Sequence, residues 1–291
     1  MHSDRIPFGK KTKSKTGKYF IMINLPIIVQ PTAGLCNRMR TIAAASVLAE
    51  LIGRKMIVVW ASDATLNSSF HTLFKPLPFK VIDVKLQSFF QRFIWHFCTK
   101  ILRYKIYDDK WIYDNARGKD FSTWRHLIEG KRIYMHASSD IFISQGDYSI
   151  FKVTEEIKRH TLHSHDNIIG IHIRRTDNEM SVRYSPTELF IRKIEEEINV
   201  NPTQQFYLAT DDKTEEEHLL KMFPDNITVY EKQSLDRNDP IAIRDAVIDL
   251  YNLAHCKKIY GSYYSSFSDI AALWGGIEKE VLMTNCPQKQ Q

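Results

Sequence analysis

The sequence predicts an α/β chain made of two doubly wound domains that face each other across a cleft. Three observations predict it. Short, near-continuous apolar runs alternate with helical stretches, as they do where parallel strands are buried on both faces. The first half opens on a complete strand–helix–strand unit, and the second half repeats the same rhythm. The length, 291 residues, exceeds one comfortable hydrophobic core and suits two.

The opening strand is Pro26-Ile27-Ile28-Val29-Gln30, followed by the turn Pro31-Thr32-Ala33-Gly34. Asn37 to Ile52 is rich in alanine and leucine, good helix formers, and Gly53 stops it as a C-terminal cap. Lys55–Trp60 is the second strand. Residues 80–135 read as less regular, with a short returning strand at Arg132–Met135 and then a helix over Thr154–His160. The polar break His163–Asn167 marks the expected boundary between a first domain, 25–160, and a second, 161–291. In the second half, strands are expected at Ile168–Ile173, Phe206–Ala209, Ile227–Tyr230, Lys258–Tyr260 and Val281–Met283. Between them, Ser185-Pro186-Thr187-Glu188 opens a helix with a serine cap, proline at the first position and glutamate at the third. Further helices follow at Thr214–Met222, Pro240–Ala254 and Ser266–Leu273.

Composition excludes several classes. Apolar residues make up 43 % and charged residues 25 %, so disorder is not the default. The formal net charge of +6 suits an anionic small ligand or a membrane surface as well as nucleic acid, and no zinc finger, basic zipper or RNP segment is present, so no nucleic-acid partner is expected. Cys36, Cys98, Cys256 and Cys286 show neither metal nor redox spacing, which points to a reduced, cytoplasmic compartment. Residues 1–24 read as a basic tail with no catalytic part; Lys10, Lys11, Lys13, Lys15 and Lys18 have no long apolar run behind them.

Open parallel sheets bind ligands beyond the carboxyl ends of their strands. There the chain places His172-Ile173-Arg174-Arg175-Thr176-Asp177. Two guanidiniums suit a diphosphate and the charge that grows on it as it leaves. Neighbours on a strand point to opposite faces, so both reach one ligand only if the chain turns there. The bland reading is an ion pair between one arginine and Asp177. Asp211 and Asp212 follow the next strand, where Asp212 serves equally well as a helix cap. Arg244 and Asp249 lie on the Pro240–Ala254 helix; a carboxylate in the cleft can accept two N–H bonds from a guanine edge, and a solvated helix carboxylate is the alternative. Ser265 and Ser266 stand between a strand and a helix start, where backbone N–H groups can cradle phosphate. In the first half, Gly34, Asn37 and Arg38 form a glycine turn aimed at the cleft that matches neither a P-loop nor a dinucleotide fingerprint. No Asp-x-Asp ends a strand, so no metal is expected to hold the diphosphate.

Three ordered blocks resemble the α1,6-fucosyltransferase superfamily, which includes core N-glycan and bacterial nodulation enzymes. They are Ile169–Asp177, Phe206–Asp212, and the stretch from Arg244 through Ala246–Asp249 to Ser265, Ile270 and Ala271. The Gly34–Arg40 turn is similar to that of related enzymes. The resemblance implies a GT-B fold of two Rossmann-like domains, and inverting, metal-independent transfer of fucose from GDP-fucose to a glycan acceptor hydroxyl. It implies that Arg174 and Arg175 hold the β-phosphate, that His172 contacts the nucleotide and Asp249 the guanine, and that Ser265 meets the phosphates. The chain departs from the family where a lysine and a glutamate follow the first block. Asn178 replaces the lysine, Ser181 or Val182 the glutamate, and Glu179 or Asp177 is left as base. Another nucleotide sugar, or a non-catalytic GDP-binding protein, are the alternative readings. The aromatic and basic stretch Phe89–Lys105 is expected to be a sugar-stacking surface, a peripheral membrane contact that makes the protein membrane-associated, or a partly buried helix.

Overall fold

A computed structural model describes residues 25–116, 121–128, 130–138, 146–162, 167–236 and 238–284. The basic tail and most of the expected domain boundary (163–166) lie outside the described residues.

Each half builds one five-stranded parallel sheet. The first has strands β1 (Ile27–Pro31), β2 (Met56–Ser62), β3 (Lys80–Lys85), β4 (Lys105–Asp108) and β5 (Ile133–Ala137), in the order β3-β2-β1-β5-β4. The second has β6 (Ile169–Ile173), β7 (Phe206–Thr210), β8 (Ile227–Val229), β9 (Lys258–Ser262) and β10 (Glu278–Leu282), in the order β10-β9-β6-β7-β8. Every residue of β1, β6 and β7 is buried, because helices cover both faces of the sheets. The strand order reverses beside β1 and beside β6, and these switch points open the crevices where ligands bind.

The elements follow the expected strand–helix rhythm, with differences in detail. α1 (Leu35–Leu51) begins two residues earlier than expected. It ends as expected: Gly53 takes φ +65°, and the N–H groups of Gly53 and Arg54 bond back to the carbonyls of Glu50 and Ala49. Strands β3 and β4 lie inside a stretch that looked irregular. Both are sheet edges, short and with charged ends, so they lack a long apolar run. Helix α7 (Glu179–Tyr184) precedes α8 (Thr187–Val200), and Ser185 does not cap the latter. Its hydroxyl instead donates to the Leu282 carbonyl and accepts from the Tyr263 N–H.

The remaining helices are α2 (Phe70–Leu73), α3 (Phe89–His96, running into a π-turn over Phe97–Ile101), α4 (Asp109–Asn115), α5 (Phe121–Ile128), α6 (Glu155–Arg159), α9 (Lys213–Met222), α10 (Pro240–Ala254) and α11 (Ser266–Gly275). The two sheets share one apolar core across the cleft floor. Phe74 packs on Phe151 and Trp274, the Trp274 indole donates to the Phe151 carbonyl (3.1 Å), and Leu162 N–H reaches Asn252 on α10 (3.0 Å).

Candidate functional site

A cavity of about 760 Å³ lies between the sheets, over both switch points. The first domain contributes Gly34, Cys36 and Asn37 at the start of α1. The second contributes the ends of β6, β7 and β9 and one face of α10. The turn after β9 is unusual. Gly261 admits α11 so closely that a Cβ there would lie 2.6 Å from Ser268 Oγ. Tyr264, at φ +55°, then turns the chain into α11. Ser265 occupies the N-cap position but makes no side-chain cap bond, and with Ser266 it lines the cavity. The open N–H groups of α11 are therefore presented to the cleft.

The two arginines part company. Arg174 lines the cavity. Its Nε lies 3.2 Å from Asp211, and its guanidinium also bonds Asp177. Arg175 is turned away, and this corrects the expectation that both grip one ligand. Its guanidinium bonds Thr187 (2.9 Å), Glu215 (3.4 Å) and the Arg174 carbonyl (3.0 Å). The two neighbouring side chains leave the end of β6 in different directions. Asp211 shapes this turn by accepting from Arg175 N–H (2.8 Å) and the Thr176 hydroxyl (2.5 Å). Burial would raise its pKa, but Arg174 and these donors outweigh that and hold it below the usual carboxylate range.

Asp249 lines the cavity from α10 and is almost completely buried. Tyr207 donates to one oxygen (2.5 Å) and Lys232 lies 3.2 Å from the other. Burial pushes its pKa up to about 6, against the pull of Lys232. His172 stacks on Phe267 with ring centroids 4.9 Å apart. Burial, and then Arg174, lower its pKa to about 3, so the ring is neutral, and its buried Nδ1 finds no partner among the described residues.

Other expected residues fall elsewhere. Arg38 is fully buried and bonds the carbonyls of Ala33 (2.7 Å) and Ala61 (2.6 Å) and the Asp63 carboxylate (2.9 Å). It ties α1 to the end of β2 rather than facing the cleft. Arg244 lies outside the cavity, paired with Asp245 (3.2 Å) and Gln233 (3.1 Å). Asp212 caps α9, accepting from Thr214 (2.8 Å) and Glu215 (3.1 Å). Glu179 is exposed at the start of α7 and does not line the cavity, whereas Asp177 does.

No protein-family model matches the sequence, and no curated protein matches it. Solved structures do match. The α1,6-fucosyltransferase NodZ soaked with GDP-fucose is 18 % identical with a TM-score of 0.54, over 86 % of this chain and 93 % of that one. The NodZ structure from Bradyrhizobium gives 17 % identity and 0.55, over 85 % and 93 %. POFUT1 in complex with GDP-fucose gives 11 % and 0.51, over 88 % and 98 %. The fold is GT-B. This fold places the inter-sheet cavity in the cleft between the two Rossmann-like domains, and the coverage leaves no large part of the chain outside the match.

Lys232 is a site residue that the sequence did not single out. It follows β8 in a polar loop, and only the fold brings it between Asp249 and Glu216 (3.3 Å). Asn178 and Ser181 brace the turn after β9. Asn178 donates to the Tyr264 carbonyl (2.8 Å) and Ser181 to that of Tyr263 (2.6 Å). Among the described residues no three His, Cys, Asp or Glu side chains converge as a metal site would need.

Proposed function

We propose that the chain moves fucose from GDP-fucose to a hydroxyl of a glycan, by direct displacement and without a metal. One observation carries the reading: a single cleft holds a buried carboxylate–ammonium pair, Asp249 and Lys232, together with a cation, Arg174, beside the open start of α11. The Asp249 carboxylate accepts from guanine N1–H and N2–H, and Lys232 donates to O6. Adenine presents the opposite pattern and would leave both groups unpaired. The neutral His172 ring offers Nδ1 to the nucleotide. The diphosphate lies on the N–H groups around Ser265 and Ser266 and on Arg174.

Arg174 is already paired, and that pairing supplies a switch. Asp177, the more exposed of its two carboxylates, yields its place to phosphate, while Asp211 stays to aim the guanidinium. Asp177 is then the base that takes the acceptor proton. The acceptor oxygen forms its bond to the anomeric carbon as the bond to the β-phosphate oxygen breaks. The electron pair stays on GDP, where Arg174 balances it. Arg175 positions this turn from behind through Thr187 and Glu215. The acceptor belongs to the first domain.

The test is release of GDP from GDP-fucose, with and without a panel of oligosaccharides, beside thermal shifts with GDP, UDP and CMP. Acceptor-stimulated release and a GDP-selective shift are expected. A shift with no turnover identifies a binding protein, and a UDP-selective shift another donor; either contradicts the reading.

A further inference from the structure

Helix α3 and its π-turn carry two apolar faces where an ordinary surface helix carries one. Ile94, Trp95, Cys98 and Leu102 pack onto the first sheet against Ile28, Val59 and Tyr134. The opposite side is apolar as well. Phe89 is 87 % exposed, Phe90 52 %, Phe93 54 %, Phe97 40 % and Ile101 60 %. Phe89, Phe93, Phe97 and Ile101 recur at every fourth residue, so they form one stripe, in which Phe93 and Phe97 stack at 5.8 Å. A contiguous apolar patch of this kind marks an interaction surface.

The charge around the stripe says what covers it. Arg92, Lys100, Arg103 and Lys105 are all exposed, and residues 89–105 contain no aspartate or glutamate. Leu25, the first described residue, packs against the same small core beneath α3, and residues 1–24 precede it in the chain. They carry Arg5, Lys10, Lys11, Lys13, Lys15 and Lys18 against the single carboxylate of Asp4. A segment so basic is repelled by the cations of the patch, and so is a second copy of the patch itself. An anionic surface attracts both at once. No described helix is long and apolar enough to cross a membrane, and the geometry is that of a helix lying in the plane of an interface with aromatic side chains inserted.

We infer that the exposed face of α3 and its π-turn docks on an anionic lipid bilayer, with Phe89, Phe93 and Phe97 inserted between headgroups and Arg92, Lys100 and Arg103 on the lipid charges. This surface does not depend on the nucleotide reading.

The experiment is co-sedimentation of the full chain with vesicles of phosphatidylcholine alone or mixed with phosphatidylglycerol. Binding to the anionic vesicles and not the neutral ones, weakened by added salt, is expected. The joint variant Phe89→Ser, Phe93→Ser, Phe97→Ser and the joint variant Arg92→Ser, Lys100→Ser, Arg103→Ser should each bind at least about tenfold more weakly, since each cation near such a surface is worth about fivefold. Unaltered melting temperatures would show that both variants fold. Equal binding to both vesicle types, or undiminished binding by either folded variant, overturns the inference. So does a concentration-dependent dimer in solution that the phenylalanine variant abolishes.

Discussion

Replacing Lys232 with methionine removes the cation beside the most deeply buried carboxylate of the cleft. At 3.2 Å the attraction between Lys232 and Asp249 amounts to about 5 kcal/mol at an effective dielectric constant of about 20. Desolvation of both groups offsets much of this. If a third of it survives as net stabilisation of the carboxylate, its loss raises the Asp249 pKa by about one further unit, from about 6 to about 7. Glu216 keeps Lys213 at 2.7 Å, so the uncompensated charge falls on Asp249. Guanine needs the ionised carboxylate, so GDP affinity should fall as pH drops through the pKa of the free protein. Isothermal titration of GDP from about pH 5 to about pH 9 should give a midpoint near 6 for the native chain and near 7 or above for Lys232→Met. A native affinity flat across that range, or an unmoved midpoint in the variant, would refute the pairing of Asp249 with guanine.

Four further outcomes follow from the same geometry. Arg174→Ala should lose on the order of 3–4 kcal/mol of transition-state stabilisation, read as a hundredfold or greater fall in turnover with the melting temperature little changed. Arg175→Ala should act on stability instead, since it leaves Glu215 and Thr187 without their cation. Denaturant melts should show a loss of about 1–3 kcal/mol. Asp177→Asn should bind GDP as tightly as the native chain or more tightly, because it no longer competes for Arg174, and should lose transfer; retained transfer would assign the base elsewhere. His172 should show no imidazole titration by NMR between about pH 5 and about pH 8. The stability that its neutral form gives is present above the ordinary histidine range and is lost as acid approaches a pKa of about 3.

What the chain reveals before folding is what its strands make obvious. β1, β6 and β7 are buried throughout and locate three of the strand ends that open onto the cleft. His172, Arg174, Asp177, Asp211, Asp249, Ser265, Ser266, Gly34 and Asn37 all line the cavity. Edge strands β3 and β4 were not legible, because a strand paired on one side needs no long apolar run. The misplaced arginines share a single cause. Sequence shows that a guanidinium stands near a strand end but not which way it turns. Arg38 turns inward to the carbonyls of Ala33 and Ala61 and to Asp63, and Arg175 turns back to Thr187 and Glu215. Lys232 was invisible for the opposite reason: it sits in a loop with no periodicity, and its partners lie 16 residues or more away in the sequence.

The most direct measurement is a crystal structure of the protein soaked with GDP. The account predicts guanine on Asp249 and Lys232, the diphosphate on Arg174 and the start of α11, and Asp177 displaced from the guanidinium. A nucleotide bound outside this cleft, or Arg174 still clasping Asp177 with the phosphates held elsewhere, would contradict it.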